Sequence, residues 1–451
     1  MTGSMRGRDT LRRWTRAILL ALAMIGVTAG FAAAVPAFGI QTGQTCNACH
    51  VGGFGPQLTP YGREFKLGGY TLRTVDFNAP ISAMAVASVL HTQKDQAAPP
   101  ANHFSTNDNA ALDQVSLFLA GGVGSHFGGF VQTTYDGVSQ KFHWDNLDLR
   151  AVTTASIGKL NLVLGAGLNN APSVQDAFNT LPAWGYPYTG SALAPAAGTA
   201  PLIGALAQNT MGLTGYAWIN SEVYLEAGGY RTLSHSALDN LNVEPDSPGN
   251  IKGVAPYGRI AYQKNLGDWN FEVGAFAISA NLYPGRDSSA GVTDHYRDLG
   301  IDGSYQYFAA NKDVYTVNAR YTNERQRLLA SQALGLASNS RGSLDDLRID
   351  ASYYWRNKTG FTVGAFNTTG TADPLLYGGN RTLKPTTQGV NLQIDHTFFG
   401  KGSPIGPRFN VRVGAQYTAY AKFDGARHDY DGTGRSAADN NTLRLFLWAA
   451  Y

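Results

Sequence analysis

The sequence predicts an all-β chain: a sixteen-stranded antiparallel transmembrane β-barrel, with a short N-terminal segment as its plug. Three observations carry that expectation. From residue 81 to the last residue, apolar side chains recur at every second position, the period of a strand with two unlike faces. The gaps between these alternating runs are short and long in turn, with only 136–141 breaking the contrast, as in barrels with tight turns at one end and longer loops at the other. The composition, with 53 Gly, 23 Tyr, 21 Phe and 7 Trp but 15% charged residues and only 2 Cys, suits a sheet held by its ladder rather than by disulfides.

Residues 1–37 read as a secretory signal peptide. Arg6, Arg8, Arg12, Arg13 and Arg16 form a basic start, Ala17 to Ala34 is apolar and rich in small residues, and Ala32-Ala33-Ala34 and Val35-Pro36-Ala37 both offer cleavage sites. The apolar run is almost long enough for a membrane anchor, but the motif described next begins about ten residues later. The leader also carries the positive charge. It holds five arginines and one aspartate, so the remainder is about −1 although the whole chain is +3. Nothing in that balance points to nucleic acid.

Both cysteines lie in Cys46-Asn47-Ala48-Cys49-His50. Two cysteines three apart, with histidine directly after the second, form the attachment signature of c-type haem. On one helical turn the three side chains project to nearly the same side, so both thiols can form thioethers while the imidazole of His50 serves as proximal axial ligand. A disulfide here would staple very little. A redox dithiol belongs near a βαβ pattern, and zinc needs two further ligands nearby. The expected cofactor is therefore one haem c, held through Cys46 and Cys49. Export agrees with it, because such haem is attached outside the cytoplasm.

The haem-binding segment spans 38–80 and the barrel 81–451. Some 43 residues are too few to build a core around a haem, and between His50 and Ile81 there is neither Met nor His. The segment therefore has to borrow walls, and a distal ligand, from the barrel. Met84 is the first candidate, sharing a strand face with Ser82, Val86 and Ser88; His91, His103, His126 and His143 follow, and further off Met211, His235, His295, His396 and His428. An open or water-occupied position is the other possibility. Methionine ligation would raise the potential. Arg63 and Lys66, in Pro60-Tyr61-Gly62-Arg63-Glu64-Phe65-Lys66, can pair with haem propionates or can form a solvated basic turn.

The sixteen runs lie near 81–91, 112–123, 126–135, 142–154, 160–168, 211–219, 222–231, 254–264, 269–279, 295–307, 313–322, 345–355, 360–367, 388–398, 408–421 and 441–451. In each, one face is apolar and the other polar or charged, as lipid outside and water inside require. Open edges cannot sit in lipid, so the sheet closes. Asp148, Glu222, Glu226, Glu272, Asp298, Asp302, Asp350 and Asp395 fall on the lumen faces, and Arg150, Arg259, Arg320, Arg348 and Arg412 share them. Such carboxylates attract Fe(II), yet porin lumens are commonly charged. Tyr135, Trp144, Tyr230, Tyr262, Trp269, Tyr307, Tyr321, Trp355, Phe398, Tyr420 and Trp448 suit interfacial girdles. The longest connection, 169–210, is rich in Ala, Pro and Gly; its composition fits a mobile loop or an inward constriction equally.

Gln41-Thr42-Gly43, Cys46 to His50, Pro56, Leu58, Gly62-Arg63, Phe65-Lys66 and Gly69-Tyr70, ahead of sixteen strand runs, resemble the outer-membrane fused monohaem cytochrome c–porins of iron-oxidising bacteria. The local motif is specific; the barrel half contributes architecture only. The resemblance implies an outer-membrane protein with its haem segment inserted from the periplasmic side. It implies single electrons passing from an extracellular donor, Fe(II) or another reductant, to a periplasmic carrier such as a soluble cytochrome or copper protein. Such a chain is at most an Fe(II)-oxidising, oxidoreductase-like electron-transfer protein. The alternatives are a diffusion porin whose haem plug is structural or a redox gate, and a peroxidase-like haem enzyme with an open distal side.

Overall fold

The computed structural model describes residues 36–74, 80–196, 199–399 and 409–451. Nearly all of the signal peptide expected over 1–37 lies outside the described residues.

Sixteen strands form the wall: β1 (Ile81–Thr92), β2 (Asn109–Val123), β3 (Phe127–Asp136), β4 (Lys141–Ile157), β5 (Leu160–Asn169), β6 (Thr210–Ile219), β7 (Val223–Thr232), β8 (Ala255–Leu266), β9 (Trp269–Tyr283), β10 (Asp294–Phe308), β11 (Val314–Arg327), β12 (Arg341–Trp355), β13 (Thr359–Gly370), β14 (Thr387–Thr397), β15 (Asn410–Lys422) and β16 (Thr442–Ala450). Each pairs antiparallel with its neighbours in sequence. β1 pairs with β16 from Met84 opposite Ala450 to Thr92 opposite Thr442, so the sheet closes with no free edge. A two-residue strand, Asn250–Ile251, pairs with Leu282 and Tyr283 at one rim and is not part of the wall cycle. All sixteen expected strands are present, because strict alternation against lipid leaves only one parity for each strand.

The connections alternate as the sequence predicts. At one end are turns as tight as Gly158-Lys159 and Gly267-Asp268, where both glycines take positive φ (61° and 65°). At the other end run 93–108, 170–209, 233–254, 284–293, 328–340, 371–386 and 423–441, with 137–140 the one short connection there. Outward side chains are apolar and exposed, such as Ile301 at 63% and Leu213 at 65%, whereas the inward carboxylates Asp298 and Glu272 are 0% and 1% exposed. A broad apolar outer belt of this kind is stable only in lipid. Tyr262, Trp269, Tyr321, Trp355 and Phe398 lie exposed on the outer wall as girdle residues. Tyr230 and Trp448 do not: both are buried inside, and Tyr420 reaches inward to donate to the carbonyl of Pro195 (2.8 Å). Each of the three has the lumen parity of its own strand.

The longest loop and the N-terminal segment both enter the lumen. Residues 170–181 of the longest connection fold inward and are buried throughout. The Asp176 carboxylate accepts the backbone N–H groups of Phe178, Thr180 and Leu181 (3.0, 3.0 and 3.1 Å), which closes this stretch on itself. Further along, the N–H groups of Leu202 and Ile203 donate to Glu324 and Asp298 of the wall (2.7 and 2.8 Å). The constriction reading of 169–210 therefore holds. Beneath it, toward the short turns, lies the N-terminal segment with three helices: α1 (Pro36–Thr42), α2 (Cys46–Cys49) and α3 (Pro60–Leu67).

Candidate functional site

α2 is a single turn, and the His50 N–H closes it on the Cys46 carbonyl (2.9 Å). α3 braces it. Pro60 stands in the first turn of α3 and Thr59 caps it, accepting the Gly62 N–H (3.2 Å). The same hydroxyl donates to the Ala48 carbonyl (2.6 Å), and the Thr59 N–H donates to the Cys49 carbonyl (2.9 Å). α3 crosses so close that a Cβ on Gly62 would stand 2.3 Å from the Cys49 oxygen. The spacing of Cys46, Cys49 and His50 is thus fixed by a second helix and not by the turn alone.

Both thiols are free and half-buried. Burial raises both, Cys49 to about 11 with Cys46 beside it as the second cause. Burial disfavours the thiolate form of both, the opposite of the shift a reactive redox dithiol needs. The His50 residue reaches the surface at one edge, but its Nδ1 is sealed and has no hydrogen-bond partner. Burial first, and then the Arg412 guanidinium, pull its pKa down to about 4 against an opposing backbone contact at Gly55. The imidazole is neutral, the form that binds a metal.

Cys46 packs at the margin of an apolar cluster built from Phe54, Val86, Phe446, Trp448 and Ala450, and Met84 and Tyr188 border the same cluster. Met84 faces inward with Ser82, Val86 and Ser88, as its strand parity requires, and its sulfur lies 3.8 Å from Gln114 Nε2. The histidines considered beside it stand elsewhere. His91 pairs with Asp108 (2.7 Å) among the long loops, His235 pairs with Asp239 (2.8 Å), and His126 Nδ1 meets the Val152 carbonyl (2.9 Å) at a short turn. His295 and His396 contact Asn281 and Thr359. Two free thiols on one turn, a neutral imidazole with an orphaned nitrogen and an inward methionine bordering the same apolar cluster form a donor set that fits a covalently held haem.

Lys66 is engaged elsewhere and Arg63 only in part, and both are buried, so neither forms a solvated basic turn. Lys66 Nζ donates to the carbonyls of Val174 and Asp176 (2.7 and 2.8 Å), 3.8 Å from Asp148 and over the Trp184 ring (4.9 Å). It fastens the inward loop to the plug. Burial pulls it down to about 8. Arg63 bonds Asn270 and lies over Phe178, with Nε and one terminal nitrogen unpartnered.

Other residues holding the segment carry no motif. Arg412 donates to the carbonyls of Gly52 (2.8 Å) and Phe54 (2.5 Å) and to Thr397 Oγ1 (3.2 Å), packs on Phe54 and Trp448, and sits 3.4 Å from Asp395. Asn357 accepts the Gly52 N–H (2.6 Å), and Gln306 donates to the Leu58 carbonyl (2.9 Å). From the inward loop, Asn179 accepts the Leu58 N–H and donates to the Pro56 carbonyl (2.8 and 2.7 Å). Asn270, Gln306, Asn357, Thr397 and Arg412 all belong to the short-turn end, so the segment sits in that mouth. Inward parity near a short turn was the available sign for these positions. A cavity of about 260 Å³ remains between the inward loop and β11–β12, lined by Tyr186, Asn318, Arg320, Asp346, Arg348 and Asp350.

The closed ladder, the apolar outer belt and the alternating connections decide the architecture. The chain is a membrane-embedded β-barrel of the outer-membrane porin type. No protein-family model and no curated protein matches it. Among solved structures it is similar to Salmonella typhi OmpF in complex with daunomycin (12% identity, TM-score 0.45, covering 82% of this chain and 96% of that one). It is also similar to Pseudomonas putida OprB at high pH (13%, 0.45, 82% and 93%) and to an anion-selective porin from Comamonas acidovorans (10%, 0.42, 82% and 98%).

Proposed function

We propose that this chain is an outer-membrane cytochrome–porin. In this reading it carries one haem c on Cys46, Cys49 and His50 and moves single electrons between an extracellular reductant and periplasmic carriers. The observation that carries the reading is the position of the Cys46–His50 turn: braced by α3 and locked by Arg412 in the short-turn mouth of the barrel. In barrels of this type the short turns face the periplasm. The motif then lies on the side where a soluble cytochrome or copper protein reaches it. The resemblance to the fused cytochrome–porins of iron-oxidising bacteria supports Fe(II) as donor.

The haem, when bound, supplies reversible one-electron chemistry. The protein's part is to hold and insulate. Cys46 and Cys49 would anchor the haem, the neutral imidazole of His50 would ligate it, and Met84 is the candidate for a second ligand. Phe54, Phe446 and Trp448 keep water from the Cys46 side. Fe(II) would give up one electron and leave as Fe(III), and a periplasmic acceptor would take up one electron, so charge balances in each turnover.

The test is the purified full-length protein. Haem is expected to remain on the chain after denaturation, and Fe(II) is expected to reduce the ferric form. A denatured chain at its unmodified mass sinks the haem reading. An unchanged ferric spectrum across the relevant pH range sinks the iron reading alone. The second reading, a diffusion porin with a structural or gating plug, is favoured by the charged cavity beside β11–β12. It predicts solute flux in liposomes, and equal flux with the protein oxidised and reduced removes the gate.

A further inference from the structure

The outer wall carries a basic patch that the electron-transfer reading does not use. Arg297 on β10 lies directly opposite Arg325 on β11. One step toward the long loops, Arg327 on β11 lies between His295 on β10 and Arg341 on β12. Parity puts all five on the outward face, alternating with the lumen residues Asp298, Glu324 and Gln326, and the four arginines are exposed. Among the described residues none of the four forms an ion pair. Arg325 donates to the amide oxygen of Asn323 (3.1 Å), and the carboxylate on this face, Asp345, is taken by Tyr321 (2.6 Å) and Asn323 (2.7 Å). Like charges directly across an antiparallel pair are destabilising. Two such pairs side by side are a costly arrangement unless anions stand between them.

The height of the patch identifies the anion. On β11 the outward face starts at Tyr315, in the aromatic row with Tyr307 and Tyr353 at the short-turn end, and runs through Val317, Ala319 and Tyr321 to Arg325. Ten residues at about 3.3 Å each make about 33 Å along the strand, or about 25 Å along the membrane normal at a tilt of about 40°. That equals the apolar band of an outer-membrane barrel, about 25 Å. Arg297 and Arg325 therefore stand where hydrocarbon ends and head groups begin in the leaflet at the long-loop end. Arg327, Arg341 and His295 stand one step farther out. Adjacent strands are about 4.8 Å apart, close enough for one phosphate to bridge facing guanidinium groups.

We propose that this face of β10–β12 is a docking surface for a phosphorylated glycolipid of the outer leaflet. The phosphates neutralise the Arg297–Arg325 and Arg327–Arg341 pairs, and the acyl chains lie along Leu299, Ile301, Val317 and Ile349. The surface is independent of any haem.

The test uses the purified full-length barrel in neutral detergent, with diphosphoryl lipid A, the same lipid with its phosphates removed, and inorganic phosphate as probes. Diphosphoryl lipid A is expected to bind and to raise the unfolding temperature. The dephosphorylated lipid and inorganic phosphate at equal concentration are expected to do neither. Arg297→Gln/Arg325→Gln is expected to weaken binding by about fivefold per arginine removed. Without lipid the same variant is expected to melt no lower than wild type, because it loses a repulsion; this separates lost binding from lost folding. Lys159→Gln/Lys312→Gln, at the short turns, is expected to leave binding unchanged. Three results would each overturn the proposal: equal affinity of the arginine variant, an equal response to inorganic phosphate, or a subunit association that only the arginine variant loses.

Discussion

Arg412 is the sharpest single test of how the plug is held. Its side chain is 2% exposed and joins the wall to the carbonyls of Gly52 and Phe54, the two residues that flank the bend after His50. Arg412→Ala removes two charged-donor hydrogen bonds to the segment, each worth about 1.5–3 kcal/mol, and leaves Asp395 as a buried carboxylate without its cation. The Arg412–Asp395 pair lies within the wall, so its loss falls on the barrel, and the two hydrogen bonds to the segment set the docking figure. About 4 kcal/mol is therefore a fair figure for the variant, or roughly a thousandfold in the docked-to-undocked ratio. The backbone ladder on both sides of β15 is untouched, so distant strands keep their protection. Hydrogen exchange of the folded protein in detergent reads the difference. Amides of residues 50–58 are expected to lose up to roughly a thousandfold in protection, while those of β3–β5 stay as in wild type. Arg412→Lys is expected to recover part of the protection, since it keeps the charge but not the fork. Protection of 50–58 within about tenfold of wild type would refute the view that Arg412 clamps the segment.

Four further outcomes follow from the same contacts. Gly62→Ala places a methyl against the Cys49 carbonyl and should force α3 off the motif at a cost of about 1–3 kcal/mol; haem content per chain should fall, and full occupancy would contradict the brace. Met84→Ala is expected to lower the reduction potential and to change the ferric spectrum if Met84 is the distal ligand; a spectrum and potential identical to wild type remove it from that role. Lys66 titrates at about 8 when buried and near 10.5 when released, so the released state binds more protons in between. Stability of the loop–plug contact should therefore rise as pH increases from about 8 to 9.5, and Lys66→Met should flatten that slope in melting curves. Asp176→Ala frees three backbone N–H groups of the inward loop, so solute flux through the reconstituted barrel should increase; unchanged flux would mean that the loop does not close the lumen.

The wall was legible residue by residue. Each run from 81 to 451 alternates against lipid, and one wrong parity would bury charge in hydrocarbon, so all sixteen strands and both sets of connections follow from pattern alone. Parity also placed Met84 inward. Where aromatic identity was allowed to outweigh parity, at Tyr230, Tyr420 and Trp448, the expectation of a girdle was wrong: an aromatic ring suits a packed lumen as well as an interface. The attachment turn was legible too, because Cys46, Cys49 and His50 are covalent chemistry written in consecutive positions.

What holds that turn was not. Lys66 and Arg412 are bound to backbone carbonyls, which every residue possesses and no sequence pattern marks. The fate of 169–210 was equally hidden. An uncharged Ala-, Pro- and Gly-rich loop is compatible with water or with burial, and the choice depends on whether Asp298, Glu324 and Lys66 stand within reach of its backbone. The sequence by itself determined the strands, their faces and the cysteine–histidine turn, since those rest on local periodicity and spacing. Only the tertiary structure decided that the longest loop folds into the lumen, that the turn sits in the short-turn mouth and that four arginines meet in cross-strand pairs. Each of these depends on register and loop path, which bring together residues far apart in the chain.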